Sequence, residues 1–548
     1  MKKSLLLTAL IGTSVLAQSQ TMFQEVRAII DANCAVTCHN YGNLSGNLNL
    51  TGTDAEVRNA LVNITPQNAT AAAKGDKLVK PGYPERSYLM RKCKTTEWGS
   101  DYALDQANEG SMMPQNYPGD SLSKTELETI RQWILYGAKA NGNQVTQATI
   151  NNYYNGMGLP PLPKPTPPLA TEGFQIHLGP FLREPVTEVE YFLKHELPLP
   201  DSLEVNRIEV FMNSESHHYI MYKFLPGQAS SFPDGLRTTN QNSSNAATSM
   251  VCGWQFNQDV RLPEHTAYFW EQTTVLDLNY HLINTSPDRV LGAEVYMNIY
   301  TQPKNSGASE MHCDLILYGG SFPYALTVPT GDTVVRTQPD FEAGATDTLY
   351  VWRLTSHTHK YGVDYDLYFR NPDGSRGEQI YEGFFDQSYT TNTGHYDWHH
   401  PAIRLFDPLQ PIEWKNGIIQ EAKYYNYGPS AVGFGLTTED EMMLYQIQYT
   451  EGKPNGTSNV GILKTNPVQN LSIYPNPATA SFDVMLPNNE ITNFSVSVTD
   501  VTGKVVYQKA FTNFNNSQIH IEEKLAPGLY RVSIRSNQNI FTGKVVIK

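Results

Sequence analysis

The sequence has few cysteines, few charged residues and no long hydrophobic run beyond its first residues. Five cysteines in 548 residues exclude a disulfide-dense scaffold, and 40 % hydrophobic with 17 % charged residues excludes bulk disorder. Lys and Arg number 40 against 54 Asp and Glu and form no basic cluster, so we expect no nucleic-acid partner. After the N-terminus no segment offers the roughly 20 apolar residues of a membrane-spanning helix. The length predicts about three or four globular domains.

The first 17 residues have the pattern of a secretory signal peptide. Two lysines follow Met1, an apolar run covers residues 5–11, and small residues lead to a cleavage site after Ala17. We therefore expect export, with passage through the periplasm.

Residues 470–548 predict a compact β-sandwich. Apolar and hydroxyl side chains alternate over residues 494–499, and another strand begins at Leu529 after a Pro-Gly turn.

Three motifs in this tail point to an address. They are the Tyr-Pro-Asn-Pro opening at 474–477, the turn at 500–504 and the closing residues 544–548. Together they resemble the C-terminal sorting domain of type IX secretion cargo. This resemblance implies that the type IX secretion machinery is a partner and that the protein is secreted or displayed at the cell surface. An ordinary adhesive β-module is the alternative.

Two segments rich in Pro, Gly, Asn and Ser predict linkers, at 146–168 and 452–469. The module before the first linker, residues 21–145, is predicted to be helical. In one of its helices Ser123 is the expected N-cap, with Glu126 three residues later. The region between the linkers has short alternating apolar runs separated by turn residues, which predicts β-sandwiches.

A possible haem site follows the first predicted helix. Cys34 and Cys38 precede His39, and two thiols can form thioethers to haem while the adjacent imidazole binds the iron. The spacer has three residues where the usual motif has two. A disulfide between Cys34 and Cys38, or from Cys93 to either of them, is therefore the alternative.

Other motifs of this module occur at residues 46–50, 80–89, 112–114 and 133–138. In this order they resemble the small cytochrome c domains of the planctomycete type. The resemblance implies a small all-α domain that carries haem c. It also implies Met113 as the second axial ligand, with Met112 as its rival.

Three groups of histidines stand in the β-rich middle region. His357 and His359 would share one face of a strand and could chelate a metal together. The adjacent His217 and His218 would diverge on a regular strand, so joint ligation requires a bulge or different ring nitrogens. His281 lies between the two pairs. Each pair alone is also typical of surface residues.

The surroundings of these histidines carry a second resemblance. Residues 216–221, 279–285, 356–362, 425–426 and 438–442 resemble, in order, the signatures of copper type II, ascorbate-dependent monooxygenases. This family includes the peptide-amidating and dopamine-hydroxylating enzymes. The resemblance implies two all-β jelly-roll-like domains, which we place at 169–303 and 304–451.

The same resemblance implies two copper sites. One copper would be held by His217, His218 and His281, and the other by His357, His359 and Met442. Two imidazoles with a soft thioether favour Cu(I), the state that meets dioxygen, whereas three imidazoles suit a copper that cycles electrons.

The chain also departs from this family. Met443 stands where a cysteine is usual, which leaves it as a rival ligand to Met442, while Cys252 and Cys313 are free to pair with each other. The amidating enzymes place an Arg two positions before the first His of His-Thr-His. Here that position is Thr355 and Arg353 lies two further back, so peptide amidation is not favoured. A further histidine cluster matches no family ligand: His395, His399 and His400.

The sequence thus predicts a secreted multidomain protein with a small all-α cytochrome c domain, two all-β jelly-roll-like domains and a C-terminal β-sandwich. Its expected function is copper-dependent monooxygenation of a C–H bond in a small-molecule or peptide substrate. The expected cofactors are two copper ions and haem c. Electrons would come from ascorbate, a redox protein or the tethered haem. A non-catalytic secreted copper-binding or electron-transfer protein is the alternative.

Overall fold

The computed structural model describes residues 21–93, 102–114, 122–238, 247–254, 257–317, 326–336, 348–383, 396, 398, 401–454, 469–486, 494–500, 505–512, 514, 516–536 and 540–548. The chain forms two compact units, Met1–Thr457 and Ser458–Lys548. The predicted signal peptide and the predicted cluster of His395, His399 and His400 lie outside the described residues. Among the described residues no helix is long and apolar enough to cross a membrane.

The N-terminal module is helical, as predicted. Its helices, with one that follows it, are α1 (Met22–Ile30), α2 (Asp54–Leu61), α3 (Ala69–Ala73), α4 (Tyr88–Cys93), α5 (Gln106–Glu109), α6 (Lys124–Leu135) and α7 (Gln147–Asn152). A π-helical turn, Asp31–Ala35, continues α1 toward the short paired strands β1 (His39–Asn40) and β2 (Asn43–Leu44). The predicted cap of α6 is confirmed, because the Ser123 hydroxyl accepts from the Glu126 N–H and the Glu126 carboxylate accepts from the Ser123 N–H.

A six-stranded sheet forms one layer of the first β half. Its strands are β3 (Gly173–Arg183), β5 (Leu203–Met212), β9 (Gln258–Arg261), β10 (Thr266–Trp270), β12 (Leu291–Gln302) and β13 (Ser309–Glu310). The spatial order is β13-β10-β5-β12-β3, and β9 also pairs with β5. The predicted boundary at 303/304 falls before β13, which pairs with β10 and so belongs to this half.

A nine-stranded sheet runs through both β halves. Its strands are β4 (Thr187–Glu196), β6 (Ser216–Phe224), β7 (Leu236–Thr238), β8 (Thr248–Trp254), β11 (Val275–Asn284), β14 (His312–Leu317), β17 (Thr348–His357), β20 (Ile403–Glu413) and β23 (Leu444–Thr450). The order is β20-β17-β23-β14-β8-β6-β11-β4-β7. The two halves are therefore joined by main-chain pairing and not only by a linker.

The second β half adds smaller sheets. A four-stranded sheet in the order β16-β21-β18-β19 and a two-stranded pair are built from β15 (Thr327–Val328), β16 (Gly331–Arg336), β18 (Gly362–Arg370), β19 (Arg376–Glu382), β21 (Ile418–Asn426) and β22 (Val432–Gly433). Its apolar core is separate from that of the first half.

The C-terminal unit is the predicted β-sandwich. One sheet has the order β24-β31-β30-β27-β28 and the other β25-β26-β29, with strands β24 (Gln469–Asn470), β25 (Ile473–Tyr474), β26 (Ser481–Met485), β27 (Phe494–Thr499), β28 (Val505–Phe511), β29 (Gln518–Glu522), β30 (Gly528–Ser536) and β31 (Ile540–Ile547). Its apolar residues form a core of their own.

The segment predicted as an extended linker at 146–168 is not a free spacer. Helix α7 occupies its start, and its proline-rich part lies along the first β half. The Pro165 carbonyl accepts from Gln175 Nε2 at 3.2 Å, and the Thr166 carbonyl accepts from Asn298 Nδ2 at 2.9 Å. An extended proline-rich chain has no internal hydrogen bonds, so its carbonyls remain available to these amide side chains.

Close backbone contact fixes the helical module on the first β half. Gly82, Gly137 and Gly235 all have positive φ, and a Cβ on Gly235 would lie 2.5 Å from Gly137 Cα. Arg131 of α6 donates to the carbonyls of Gly179 and Pro180 at 3.0 and 2.9 Å. The buried apolar residues of the module and of this half form one continuous core.

Candidate metal centre

A β-bulge turns two adjacent histidines toward one place. In the pairing of β6 with β11, His218 lies opposite His281, but the next residue of β11 faces Ser216, so His217 is the extra residue of the bulge. Joint ligation was expected to require either such a bulge or the use of different ring nitrogens. The ring centroids of His217 and His218 are 5.3 Å apart, and they lie 5.0 and 4.9 Å from that of His281.

His357 and His359 reach the same place from the second β half. The expectation that both lie on one strand is wrong, because β17 ends at His357 and the chain then turns. The turn still brings both rings to His217, with centroid distances of 5.6 and 5.9 Å. We call these five residues, His217, His218, His281, His357 and His359, the histidine cluster.

The cluster contains two overlapping sets of three ligands. In the set of His217, His218 and His281, one ligand atom from each residue lies within 4.8 Å of the others, and the same holds for His217, His357 and His359. The sequence assigned His217 to only one of two separate copper sites. Three strands separate β6 from β17 in the sheet, which is about 19 Å of flat sheet. The histidines meet because the sheet curves.

Glu441 holds the turn that carries His359. Its carboxylate accepts from the N–H groups of His359, Tyr361 and Met442 at 3.0, 2.8 and 3.1 Å. Burial raises the pKa of Glu441 to about 7, although these backbone donors favour the charged form. His359 Nδ1 donates to the Asp440 carbonyl at 3.1 Å, which leaves Nε2 as its ligand atom.

The two rival methionines lie in different environments. Met442 lines a cavity together with His218 and His357. Met443 is 1 % exposed and packs in the apolar core of the second β half. Side chains alternate as the chain enters β23, so only Met442 is placed at the cavity.

Four members of the histidine cluster favour the neutral form. Burial lowers the pKa of His217, His218 and His357 well below the ordinary value, and the neighbouring imidazoles lower it further. Burial also lowers the pKa of His359 to about 4, against its bond to the Asp440 carbonyl. Nδ1 of His218 is buried without a hydrogen-bond partner among the described residues. Neutral imidazoles with a nearby thioether are a donor set that suits copper.

Two glutamates of β4 contact the histidine cluster. Glu188 accepts from His281 Nε2 at 2.9 Å and from the N–H and hydroxyl of Thr438, both at 3.2 Å. It thus links His281 to the loop before Met442. The Nδ1 of His281 faces His218 Nε2 at 3.4 Å, so it is the nitrogen that His281 presents to the cluster.

The second of these glutamates, Glu190, lies beside the cavity. Its Oε1 accepts from Asn279 Nδ2 at 3.0 Å and lies 4.0 Å from His218 Nε2. Burial raises the pKa of Glu190, so this carboxyl holds a proton more readily than an exposed one.

The cavity has a volume of about 760 Å³ and opens beside the histidine cluster. Most of its lining is apolar, and includes Ile220, Met250, Leu315 and Leu444. A volume of this order suits a small organic molecule. Both β halves contribute residues to its walls, in keeping with the sheet that they share.

All five cysteines are free thiols in this structure. Cys252 and Cys313 are buried on the neighbouring strands β8 and β14. Burial, followed by the nearby Cys38 and Asp31, raises the pKa of Cys34 to about 11. None of the predicted pairings, Cys34 with Cys38, Cys93 with either, or Cys252 with Cys313, is formed here.

The predicted haem ligands lie at the surface of the helical core. His39 is buried, and its Nδ1 has no hydrogen-bond partner in the described part of the chain. Cys34 and Met113 are half-buried and pack against that core, whereas Met112 is not among the residues that do so. The Cys38 N–H donates to the Cys34 carbonyl at 3.4 Å, which keeps both thiols in one turn.

Several residues of the site carry no signal in the sequence. Glu188 and Glu190 alternate on one strand, a pattern that could have been read only after His281 was paired with that strand. Trp398, with its ring centroid 5.3 Å from that of His217, carried no motif. In the sequence Arg353 stands two positions before the place of the family's arginine, and in the structure it lines the cavity.

Solved structures offer only a weak likeness to this chain. A β-1,2-glucanase from Parabacteroides distasonis shares 10 % identity over 43 % of this chain and 36 % of its own, with a TM-score of 0.14. A β-glucuronidase from Faecalibacterium prausnitzii shares 12 % identity over 40 % of this chain and 37 % of its own, with a TM-score of 0.15. This chain thus spans little more than a third of either structure, and such TM-scores carry over neither fold nor activity. No curated protein matches the sequence.

Comparison with family models is informative for the tail. Residues 472–548 match the secretion system C-terminal sorting domain. The protein therefore ends in a type IX secretion sorting domain and is secreted or displayed at the cell surface.

Proposed function

We propose that this protein is a secreted copper-dependent monooxygenase that inserts one oxygen atom of O2 into a C–H bond of a substrate held in the cavity. The observation that carries the proposal is the meeting of five histidines at one place, beside Met442 in the wall of a mostly apolar cavity. Copper held there would cycle between Cu(I) and Cu(II) and activate O2.

The donor set can be divided between two copper ions. His217 would serve with His218 and His281, which leaves His357, His359 and Met442 for the second ion. The latter set contains the soft thioether and is assigned to oxygen activation. This division follows the resemblance seen in the sequence, and the shared position of His217 places the two sets side by side.

The surrounding residues have supporting roles. Glu188 and Glu441 fix the orientation of His281 and of the turn with His359 through the hydrogen bonds described above. Glu190, with its raised pKa and its place 4.0 Å from His218, can hold a proton at the edge of the cavity. The apolar lining keeps water away from the reacting C–H bond.

The helical module is proposed to carry haem c. Cys34 and Cys38 would hold its vinyl groups, and His39 and Met113 would bind its iron, which would supply one electron at a time. The module supports this role because its core is continuous with the first β half, so its position relative to the histidine cluster is fixed.

Metal analysis of the purified mature protein tests the proposal. We expect two coppers and one iron per chain, and O2 consumption coupled to a hydroxylated product. A matched control is His312→Ala, which removes an imidazole on β14 outside the histidine cluster and should leave copper content unchanged. Tight copper binding without O2 consumption would instead indicate a non-catalytic copper-binding protein. The absence of copper would contradict both functions.

A further inference from the structure

Arg353 is a buried cation at the cavity, and no carboxylate among the described residues forms an ion pair with it. It is 3 % exposed and lines the cavity. One terminal nitrogen donates to Cys252 Sγ at 3.3 Å and the other to Gln258 Oε1 at 3.0 Å, while Nε has no partner among the described residues. A thiol and an amide oxygen are neutral acceptors, so they satisfy part of the guanidinium and leave its charge uncompensated.

Other buried arginines of this chain form ion pairs. Arg237 lies 2.6 Å from both carboxylate oxygens of Asp277, and Arg131 is paired with Glu128. A buried charge without a counter-ion is strongly unfavourable, which is why such groups are normally paired. An anion that enters the cavity would therefore compensate the buried charge of Arg353.

The spacing between Arg353 and the histidine cluster bears on how far a bound carboxylate lies from the candidate metal centre. Arg353 and His357 are four residues apart on β17, without a register shift between them, so they lie on the same face with Cα atoms about 13 Å apart. The acidic residues of the cavity lining are Glu190, close to His218, and Asp314, which accepts from Tyr449 at 2.8 Å. Asp314 would repel an anion from its own position and favour the approach of that anion to Arg353.

We propose that Arg353 binds the carboxylate of a substrate whose apolar body fills the cavity and whose reacting C–H bond is several bonds away from that carboxylate. The planar guanidinium matches a carboxylate in shape and charge. The separation of the two Cα atoms favours a reacting bond farther along the substrate than the carbon next to the carboxylate. The statement about the reacting bond rests on the proposed function, whereas carboxylate binding does not.

Calorimetric titration of the full-length protein with decanoate and with decanamide tests the binding step. We expect wild type to bind decanoate at least about tenfold more tightly than decanamide, because only the carboxylate compensates the buried charge. Arg353→Gln should lose this preference and still bind decanamide, which shows that the cavity remains folded. Arg353→Lys should keep part of the preference, and Gln258→Ala, which retains the charge, should keep it.

Equal binding of the two probes by wild type, or an undiminished preference in Arg353→Gln, would overturn the proposal. The proposal would also be overturned if decanoate were preferred over decanamide only in Cys252→Ser. In that case Cys252 would already compensate the charge of Arg353 in the wild-type protein. The titrations use metal-free and copper-loaded protein without turnover. A protein that binds decanoate through Arg353 but lacks copper therefore refutes the proposed function and leaves this inference standing.

Discussion

At the scale of single residues, the histidine cluster is organised around His217. It is the bulged residue of β6 and the member common to both ligand sets. A residue in this position affects every metal bound nearby, whereas the other four histidines each belong to one set. This difference can be measured.

His217→Ala should lose the copper held with His218 and His281 and should also change the spectrum of the second copper, because the His217 ring lies 5.6 and 5.9 Å from those of His357 and His359. His281→Ala should disturb only one of the two populations. Copper content by elemental analysis and the Cu(II) electron paramagnetic resonance spectrum of each variant check this. A His217→Ala spectrum in which one copper signal remains as in wild type would show that the two sets are independent.

Glu188→Gln should weaken copper binding by about tenfold or more, because the carboxylate that orients His281 loses its charge. Thr438→Val is the matched control, since it removes the hydroxyl bond to Glu188 and leaves the bond between Glu188 and His281 in place. Competition with a copper chelator gives the affinities. Equal weakening in both variants would assign Glu188 to loop stability alone.

The candidate ligands could be found from sequence because each stands in a motif with its neighbours. The partners of those ligands could not. Glu188 and Glu190 belong to a strand remote in sequence from the histidines that they contact, and only the pairing of β4 with β11 brings them to the site.

At the scale of elements, the helical module and the first β half depend on a contact between glycines. Gly235 has a positive φ and its Cα faces Gly137 so closely that no side chain fits. Gly227 also has a positive φ, but nothing lies within 4 Å of the position its Cβ would take.

Gly235→Ala should lower the free energy of unfolding by about 1–3 kcal/mol more than Gly227→Ala does, because it adds overpacking to the shared cost of positive φ. Urea unfolding of the two variants gives the difference. Equal losses of unfolding free energy in the two variants would mean that the backbone between the helical module and the first β half shifts at little cost to accept the added methyl group.

The same contact contains a pH-sensitive residue, His195, which stacks on Tyr83 with centroids 5.8 Å apart. Burial, then the positive charges of Arg86 and Lys80, lowers the pKa of His195 to about 4 from 6.5. The unfolded chain therefore takes up the proton first. The stability contributed by neutral His195 is complete above pH 6.5 and is lost as the pH falls toward 4.

In His195→Gln the melting temperature should fall less than in wild type between about pH 7 and about pH 4.5, because the titrating imidazole is absent. Thermal unfolding of both proteins over the interval measures it. Parallel curves for the variant and wild type would contradict the assignment.

At the scale of the whole molecule, the sorting domain and the candidate metal centre belong to separate units. The sorting domain has its own apolar core, and the histidine cluster and cavity lie entirely in the first unit. Removing the tail should therefore affect export without affecting the fold of the rest.

A chain truncated after Thr457 should remain in the cell and keep the melting temperature of the first unit. Cell fractionation followed by immunoblotting measures the first property, and differential scanning calorimetry the second. Export of the truncated chain at the wild-type level would contradict the role of the tail.

The sequence by itself determined the sorting domain, the helical nature of the first module, many of the strands and the candidate ligands. These depend on local periodicity, capping and short motifs, which are written in contiguous residues. Only the tertiary structure decided that one sheet joins the two β halves, that the proline-rich segment packs against a strand, and that His217 is shared. Those features arise from pairing and curvature between residues far apart in the chain, for which no local pattern exists.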